Sequence, residues 1–233
     1  MAVIEPKNAR LHIERFDYRI VFAKKGRAVY ISHLDMMRAF QRIIKRAKLP
    51  VWHTQGFNPH VYIMFPLPLS LGLESCCEVM DIALIEKLEC DEVRDRLNAN
   101  MPEGFEALRV YPPDKKHLEI ASSVYVVRLT TDRTAEEAEA LFDEFLSQDV
   151  IEIEKRTKKK DVKLVDIKPH ITLLDKCVRD GALCLTLRLP SGNDFNLNLN
   201  VVIDAYTAAT GQTLDEFYAM RTKILTKSGE SFT

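Results

Sequence analysis

Polar and apolar positions alternate with period two over residues 17–23, which predicts a β-strand. A basic turn, Lys24-Lys25-Gly26-Arg27, follows, and residues 28–31 read as a short returning strand. The period then changes. Leu34, Met37, Gln41, Ile44 and Ala47, joined by Phe40 and Ile43, form a helical stripe, with Arg38, Arg42 and Lys45 opposite. Ser32 is a suitable N-cap with Asp35 three residues on, and Pro50 ends the helix. Residues 51–54 and 61–65 are short extended runs around a loop at 56–60. Pro66 and Pro68 exclude regular pairing just after them. Residues 78–85 alternate as a strand, 90–100 predict a short helix and 104–111 a closing strand. The order is β-α-β-β-α-β, ended by the linker Pro112-Pro113-Asp114.

The same order is read again downstream. Residues 124–129 are a strand and 135–146 a helix with Ala138, Leu141, Phe142 and Phe145 inward. Extended runs follow from 151 and over 163–171, then a strand at 183–189, a helix at 199–209 ended by Gly211, and a strand at 218–226. The predicted fold is α+β: two tandem ferredoxin-like (βαββαβ) halves with antiparallel sheets. The boundaries are a flexible lead-in over 1–15, a first half over 16–112 and a second over 118–227. A single larger α+β domain around one sheet is the rival.

Charge refines this picture. Net charge is -1, yet residues 1–60 hold twelve Lys/Arg against four acids, and residues 155–169 seven against two. Residues 70–120 hold twelve acids against six bases. Such asymmetry fits a face for an anionic partner, commonly nucleic acid, or simply solvated surface. Arg38, Arg42 and Lys45, with Lys155, Arg156, Lys158, Lys159 and Lys160, are the candidate phosphate-contacting residues. No apolar run reaches the length of a membrane span, and the first ten residues lack the apolar stretch of a secretory leader, so a cytoplasmic protein is expected. The five cysteines have neither framework nor CxxC spacing, so no zinc or iron–sulfur site is expected in this chain.

Candidate chemistry concentrates between Ser32 and Asp81. His33 lies in the first helical turn, where the positive helix end disfavours its cation and leaves an imidazole able to act as a base. His53 and His60 flank Gln55-Gly56-Phe57-Asn58-Pro59, a loop in which Phe57, with Trp52 and Tyr62, can stack on a base or pack as core. Ser70-Leu71-Gly72-Leu73-Glu74-Ser75 offers backbone N–H groups to an anion or is a tight turn. The chain connectivity predicts one concave surface lined by His33, Asp35, Gly56, Phe57, Asn58, His60, Gly72 and Glu74.

These residues resemble a known family. Ala23-Lys24-Lys25-Gly26, Tyr30-Ile31-Ser32-His33-Leu34-Asp35, Gln55-Gly56-Phe57-Asn58-Pro59-His60, Leu69-Ser70-Leu71-Gly72-Leu73-Glu74-Ser75, Met80-Asp81 and Arg221-Thr222 follow the motif order of the radical-SAM-linked proteins. This is a bacterial family encoded beside, or fused to, a radical SAM protein. Val61 and Ser70 stand where proline is common in that pattern. The resemblance implies a radical SAM partner rather than a reaction; the partner would hold the iron–sulfur cluster and S-adenosylmethionine. The order of elements is also similar to the CRISPR repeat-processing endoribonucleases. The expected function is therefore an accessory protein binding structured RNA. A metal-independent endoribonuclease using His33 and a protein–protein adaptor are the alternatives.

Overall fold

The computed structural model describes residues 14–156 and 162–233. Lys158, Lys159 and Lys160 of the predicted basic face lie outside the described residues, as do the side chains of Lys155 and Arg156 and most of the 1–15 lead-in. The first part of the chain runs β1 (Phe16–Lys24), α1 (His33–Arg46), β2 (Ile63–Met64), β3 (Glu74–Leu84), α2 (Cys90–Asn98) and β4 (Phe105–Tyr111). The second runs β5 (Ile120–Thr131), α3 (Ala135–Ser147), β6 (Glu152–Arg156), β7 (Val162–Asp166), β8 (Thr172–Arg179), β9 (Ala182–Pro190), α4 (Leu199–Thr210) and β10 (Leu214–Thr226).

The strands build one main sheet rather than one per half. Its order is β4-β1-β3-β10-β5-β9-β8, with β2 on the distal part of β3 and the hairpin β6–β7 apart from it. Every pairing is antiparallel except β3 with β10, which meet in parallel through Glu74 with Met220 and Ser75 with Arg221. That parallel seam is where the first and second parts join.

Each part has its own apolar core. α1 and α2 lay Met36, Phe40, Ile43, Ile44, Val93 and Leu97 against Ile20, Phe22, Met80 and Ile82. α3 and α4 lay Phe142, Phe145, Val202 and Tyr206 against Val127, Leu129, Leu185 and Leu187. A third, smaller cluster of Leu67, Cys77, Val79, Ile120, Ile224 and Phe232 spans the seam.

Several expectations change. Residues 28–31 are not a strand: Gly26–Tyr30 is a 3-10 turn, made possible by the left-handed φ of +56° at Gly26. In α1 the inward stripe is Met36, Phe40, Ile43, Ile44 and Ala47, while Leu34 is 57% exposed. Leu34 sits in the first turn, before the helix reaches the sheet. β3 starts at Glu74, four residues earlier than its alternation predicts, and β10 at Leu214, also four earlier. The extended runs from 151 and 163 form the separate hairpin, and the outer strand of the second part is β8, which the sequence pattern did not mark. β8 is an edge strand carrying Asp175, Lys176 and Arg179, and edge charges obscure alternation.

Candidate functional site

The motif residues fall into two neighbourhoods at opposite ends of β3. The first surrounds Glu74. β1 ends at Lys24, a buried lysine whose Nζ donates to the Ile31 carbonyl at 3.3 Å. The Gly26 N–H donates to Glu74 Oε1 at 2.8 Å, and the Tyr218 hydroxyl donates to Glu74 Oε2 at 2.9 Å. Burial and the Glu74 carboxylate push the Tyr218 phenol up to about 12. Gly72 (φ +84°) donates its N–H to the Val29 carbonyl at 3.0 Å, so that amide is already used and is not aimed at a ligand. Glu74 likewise spends both oxygens bracing the turn and β10.

His33 opens α1 here. Ser32 Oγ accepts the Asp35 N–H at 3.2 Å and donates to Asp35 Oδ2 at 2.7 Å; Asp35 also pairs with Arg38 at 3.2 Å. Those Ser32 and Arg38 hydrogen bonds hold the Asp35 carboxyl below its usual range. The His33 ring meets Phe65 edge-on, with centroids 5.5 Å apart, and makes no hydrogen bond among the described residues. Burial, then the Lys24 charge, pushes its pKa down, so the ring is neutral at pH 7.

The second neighbourhood is a hairpin leaving the sheet edge at the other end of β3. Val51 bridges Leu84, and the Trp52 N–H donates to the Ala83 carbonyl at 2.8 Å. The chain then turns away from β3, pairs His53 with Val61, and returns at Ile63 opposite Ile82. The tip is closed by its own bonds. The Thr54 N–H donates to the His60 carbonyl at 2.8 Å, and His60 Nδ1 lies 3.0 Å from Thr54 Oγ1 and 3.1 Å from the Asn58 carbonyl. Gly56, Phe57, Asn58 and His60 are exposed; Phe57, at 107%, is wholly in solvent. At the root, Arg15 stacks 5.2 Å from the ring centres of both Trp52 and Tyr62.

The eight residues expected on one concave surface are therefore divided. His33, Asp35, Gly72 and Glu74 gather where β3 begins; Gly56, Phe57, Asn58 and His60 project from where it ends. The basic face of α1 leads toward the hairpin. Arg38, Arg42 and Lys45 are all exposed, as expected. Arg38 is paired with Asp35, whereas Arg42 and Lys45 make no ion pair among the described residues. α1 ends at Arg46, five residues before Val51, so its last turns and the hairpin root share one end of the sheet.

Sequence reasoning did not pair the charges inside the strands. Arg221 is fully buried, donating from Nε (3.1 Å) and Nη2 (2.5 Å) to Glu78 Oε1 and from Nη2 to the Leu67 carbonyl (2.8 Å). Burial works against its charge, but Glu78, Tyr125 and Cys77 together leave the guanidinium pKa raised. Arg19 forks onto both oxygens of Asp81 at 2.8 and 2.9 Å under the Phe232 ring. The available signal was a charge at an inward strand position with an opposite charge at an inward position elsewhere. Glu78, Asp81 and Arg221 thus explain part of the motif pattern as internal ion pairing.

The segment 65–73, with prolines at 66 and 68, has a similar explanation. Phe65 packs on the first core, Leu67 enters the seam cluster, and Leu69 and Leu73 enter the second core. One short stretch pins all three together.

A family model described as an uncharacterized protein conserved in bacteria, DUF2344, matches residues 17–203, most of the chain. The chain belongs to this family. The DUF2344 match takes in the motif residues of both neighbourhoods on β3 and stops within α4, before β10 and its Tyr218. No curated protein matches the chain. Solved structures similar to this DUF2344 chain include one titled "Crystal Structure of a Cbf5-Nop10-Gar1 Complex", at 13% identity and a TM-score of 0.44. The similarity covers 89% of this chain and 48% of that one, so the chain spans about half of its length. Among the described residues no helix is long and apolar enough to cross a membrane.

Proposed function

We propose that this chain is an RNA-binding accessory protein working beside a radical SAM enzyme, and that it grips structured RNA with the 51–62 hairpin and the end of α1. The observation that carries the reading is Phe57, an aromatic ring wholly in solvent at the tip of a hairpin closed by its own hydrogen bonds. A large exposed apolar side chain held on a bonded turn is suited to stack on an unpaired base. Arg42 and Lys45, exposed and without an ion pair among the described residues, supply phosphate contacts from the adjoining helix. Each part of the chain is read as ferredoxin-like, because strands in the order β4-β1-β3-β2 and β10-β5-β9-β8 repeat one arrangement. The partner assignment rests on the motif order of the sequence; the iron–sulfur cluster and S-adenosylmethionine belong to that partner.

The test is binding of fluorescent tRNA and rRNA fragments across a salt series, together with affinity capture of the chain from bacterial extract. A steep salt dependence and capture of an iron–sulfur protein are expected. Salt-independent or absent RNA binding replaces this reading with the adaptor. A second reading, an endoribonuclease, draws support from His33, a ring at a helix N-terminus whose pKa is pushed down and which has no hydrogen-bond partner among the described residues. Cleavage of labelled RNA in EDTA, lost in His33→Ala, would favour it.

A further inference from the structure

β3 bulges against β1 at its two adjacent cysteines. Phe22 pairs with Glu78 and Lys24 with Ser75, so Cys76 and Cys77 together stand opposite Ala23 alone. Neighbours on a regular strand point to opposite faces; two residues set against one break that alternation. The consequence is visible in the sulfurs. Cys76 Sγ lies 3.7 Å and Cys77 Sγ 3.4 Å from the same oxygen, the Arg221 carbonyl of β10. Cys76 is half-buried and reachable from solvent, while Cys77 is buried in the seam cluster. The hydrogen bond with Cys77, aided by Lys25, brings the Cys76 thiol down to about 6, and the same bond with burial raises Cys77. Arg221 favours an anion at Cys77, and Glu78 opposes one at either sulfur.

We propose that Cys76 and Cys77 form a two-sulfur chelate for a soft, thiophilic ion of the monovalent copper class. Thiolates select soft ions over magnesium or calcium, which need oxygen ligands. Among the described residues no group of three or more His, Cys, Asp or Glu is placed to hold a metal. Two sulfurs alone suit an ion content with two ligands better than tetrahedral zinc. Binding is a proton-for-ion exchange without electron transfer. Cys76, already thiolate near neutral pH, supplies the first bond, and Cys77 yields its proton as the second forms. Two thiolates and a monovalent ion leave one negative charge. Lys25 and Arg221, set against Glu78, offset it. The ion would lie across the seam, against the β10 backbone, giving the chain a role independent of RNA.

The whole chain, reduced and under anaerobic conditions, is titrated with Cu(I) supplied as its bicinchoninate complex. It is then alkylated with N-ethylmaleimide and mapped by mass spectrometry. One ion per chain is expected, with Cys76 and Cys77 protected together. Cys177 and Cys184, which face each other across β8 and β9, are the internal control and should alkylate as in the ion-free protein. Cys76→Ser should weaken binding about a hundredfold, because the second bond of a chelate is intramolecular. Cys177→Ser/Cys184→Ser should leave it unchanged. Protection of Cys177 and Cys184 instead, protection of Cys76 without Cys77, or undiminished affinity in Cys76→Ser overturns the proposal. The mapping on the unaltered chain decides even where a variant fails to fold.

Discussion

Arg221 aims two nitrogens, Nε and Nη2, at one oxygen of Glu78, Oε1, where β10 and β3 run parallel. Both side chains are 2% exposed. Removing one partner strands the other charge without water. Arg221→Met should therefore cost about 3–5 kcal/mol, whereas Arg221→Met with Glu78→Leu should cost less than the single change. Urea denaturation at neutral pH measures both. A loss below about 1 kcal/mol for the single variant would mean that water reaches Glu78.

Gly104 closes the turn that seats the 3-10 segment before His33. It has φ +90°, and a Cβ there would come within 2.6 Å of the Lys25 carbonyl oxygen and 2.8 Å of Ala28 Cβ. Gly104→Ala combines left-handed strain with overpacking and should destabilise by about 2–4 kcal/mol. Thermal melting checks it; an unchanged midpoint would show that the turn can move aside.

Phe57→Ala separates recognition from folding. The ring touches solvent only, so stability should stay within about 0.5 kcal/mol of the parent. If Phe57 stacks on a base, RNA affinity should fall by about 1–3 kcal/mol. Urea denaturation and RNA anisotropy titrations on the same preparation give the two answers, and unaltered affinity removes Phe57 from the interface.

Arg42→Glu with Lys45→Glu should flatten the salt dependence of RNA binding, by about one logarithmic unit for each phosphate that is no longer neutralised. Adding Arg38→Glu should change it less, because Asp35 already occupies Arg38. A slope that tracks Arg38 instead would move the RNA-binding face toward the helix start.

His33 should titrate below the ordinary histidine value, by the sign of its burial and of the Lys24 charge. The unfolded chain then takes up this proton first. The His33 contribution to stability is whole above the unfolded value and falls as pH drops through the folded one. NMR titration of the ring reads the midpoint directly, and a value at or above about 6.5 contradicts the placement of Lys24 behind it.

Local punctuation made much of the first half legible. Ser32 and Pro50 frame α1, and the alternation over residues 17–23 and 78–85 marks β1 and most of β3. What escaped was set by distance along the chain. Arg19 and Asp81 are 62 residues apart, and Arg221 and Glu78 are 143 apart, so their pairing depends on a topology that periodicity does not carry. The site residues show the same division. Arg38, Arg42 and Lys45 were readable as exposed because a helix sorts its own faces. Connectivity alone predicts His33 and His60 together, with the run from Val51 carrying the chain back to the edge where α1 starts. The bridge of Val51 to Leu84 instead directs the hairpin outward at the far end. β8 stayed hidden because an edge strand mixes its charges with its apolar positions.

The clamp made by Phe65, Leu67, Leu69 and Leu73 has a thermodynamic consequence. A segment that fills three clusters cannot leave one of them while the others stay closed, since each vacated leucine site would be a void in a packed interior. The two parts should therefore unfold as a single cooperative unit, with calorimetric and van't Hoff enthalpies that agree. Cutting the chain at the Pro112-Pro113 junction would leave the first fragment with Leu69 and Leu73 facing water, and the second with the holes those side chains had filled.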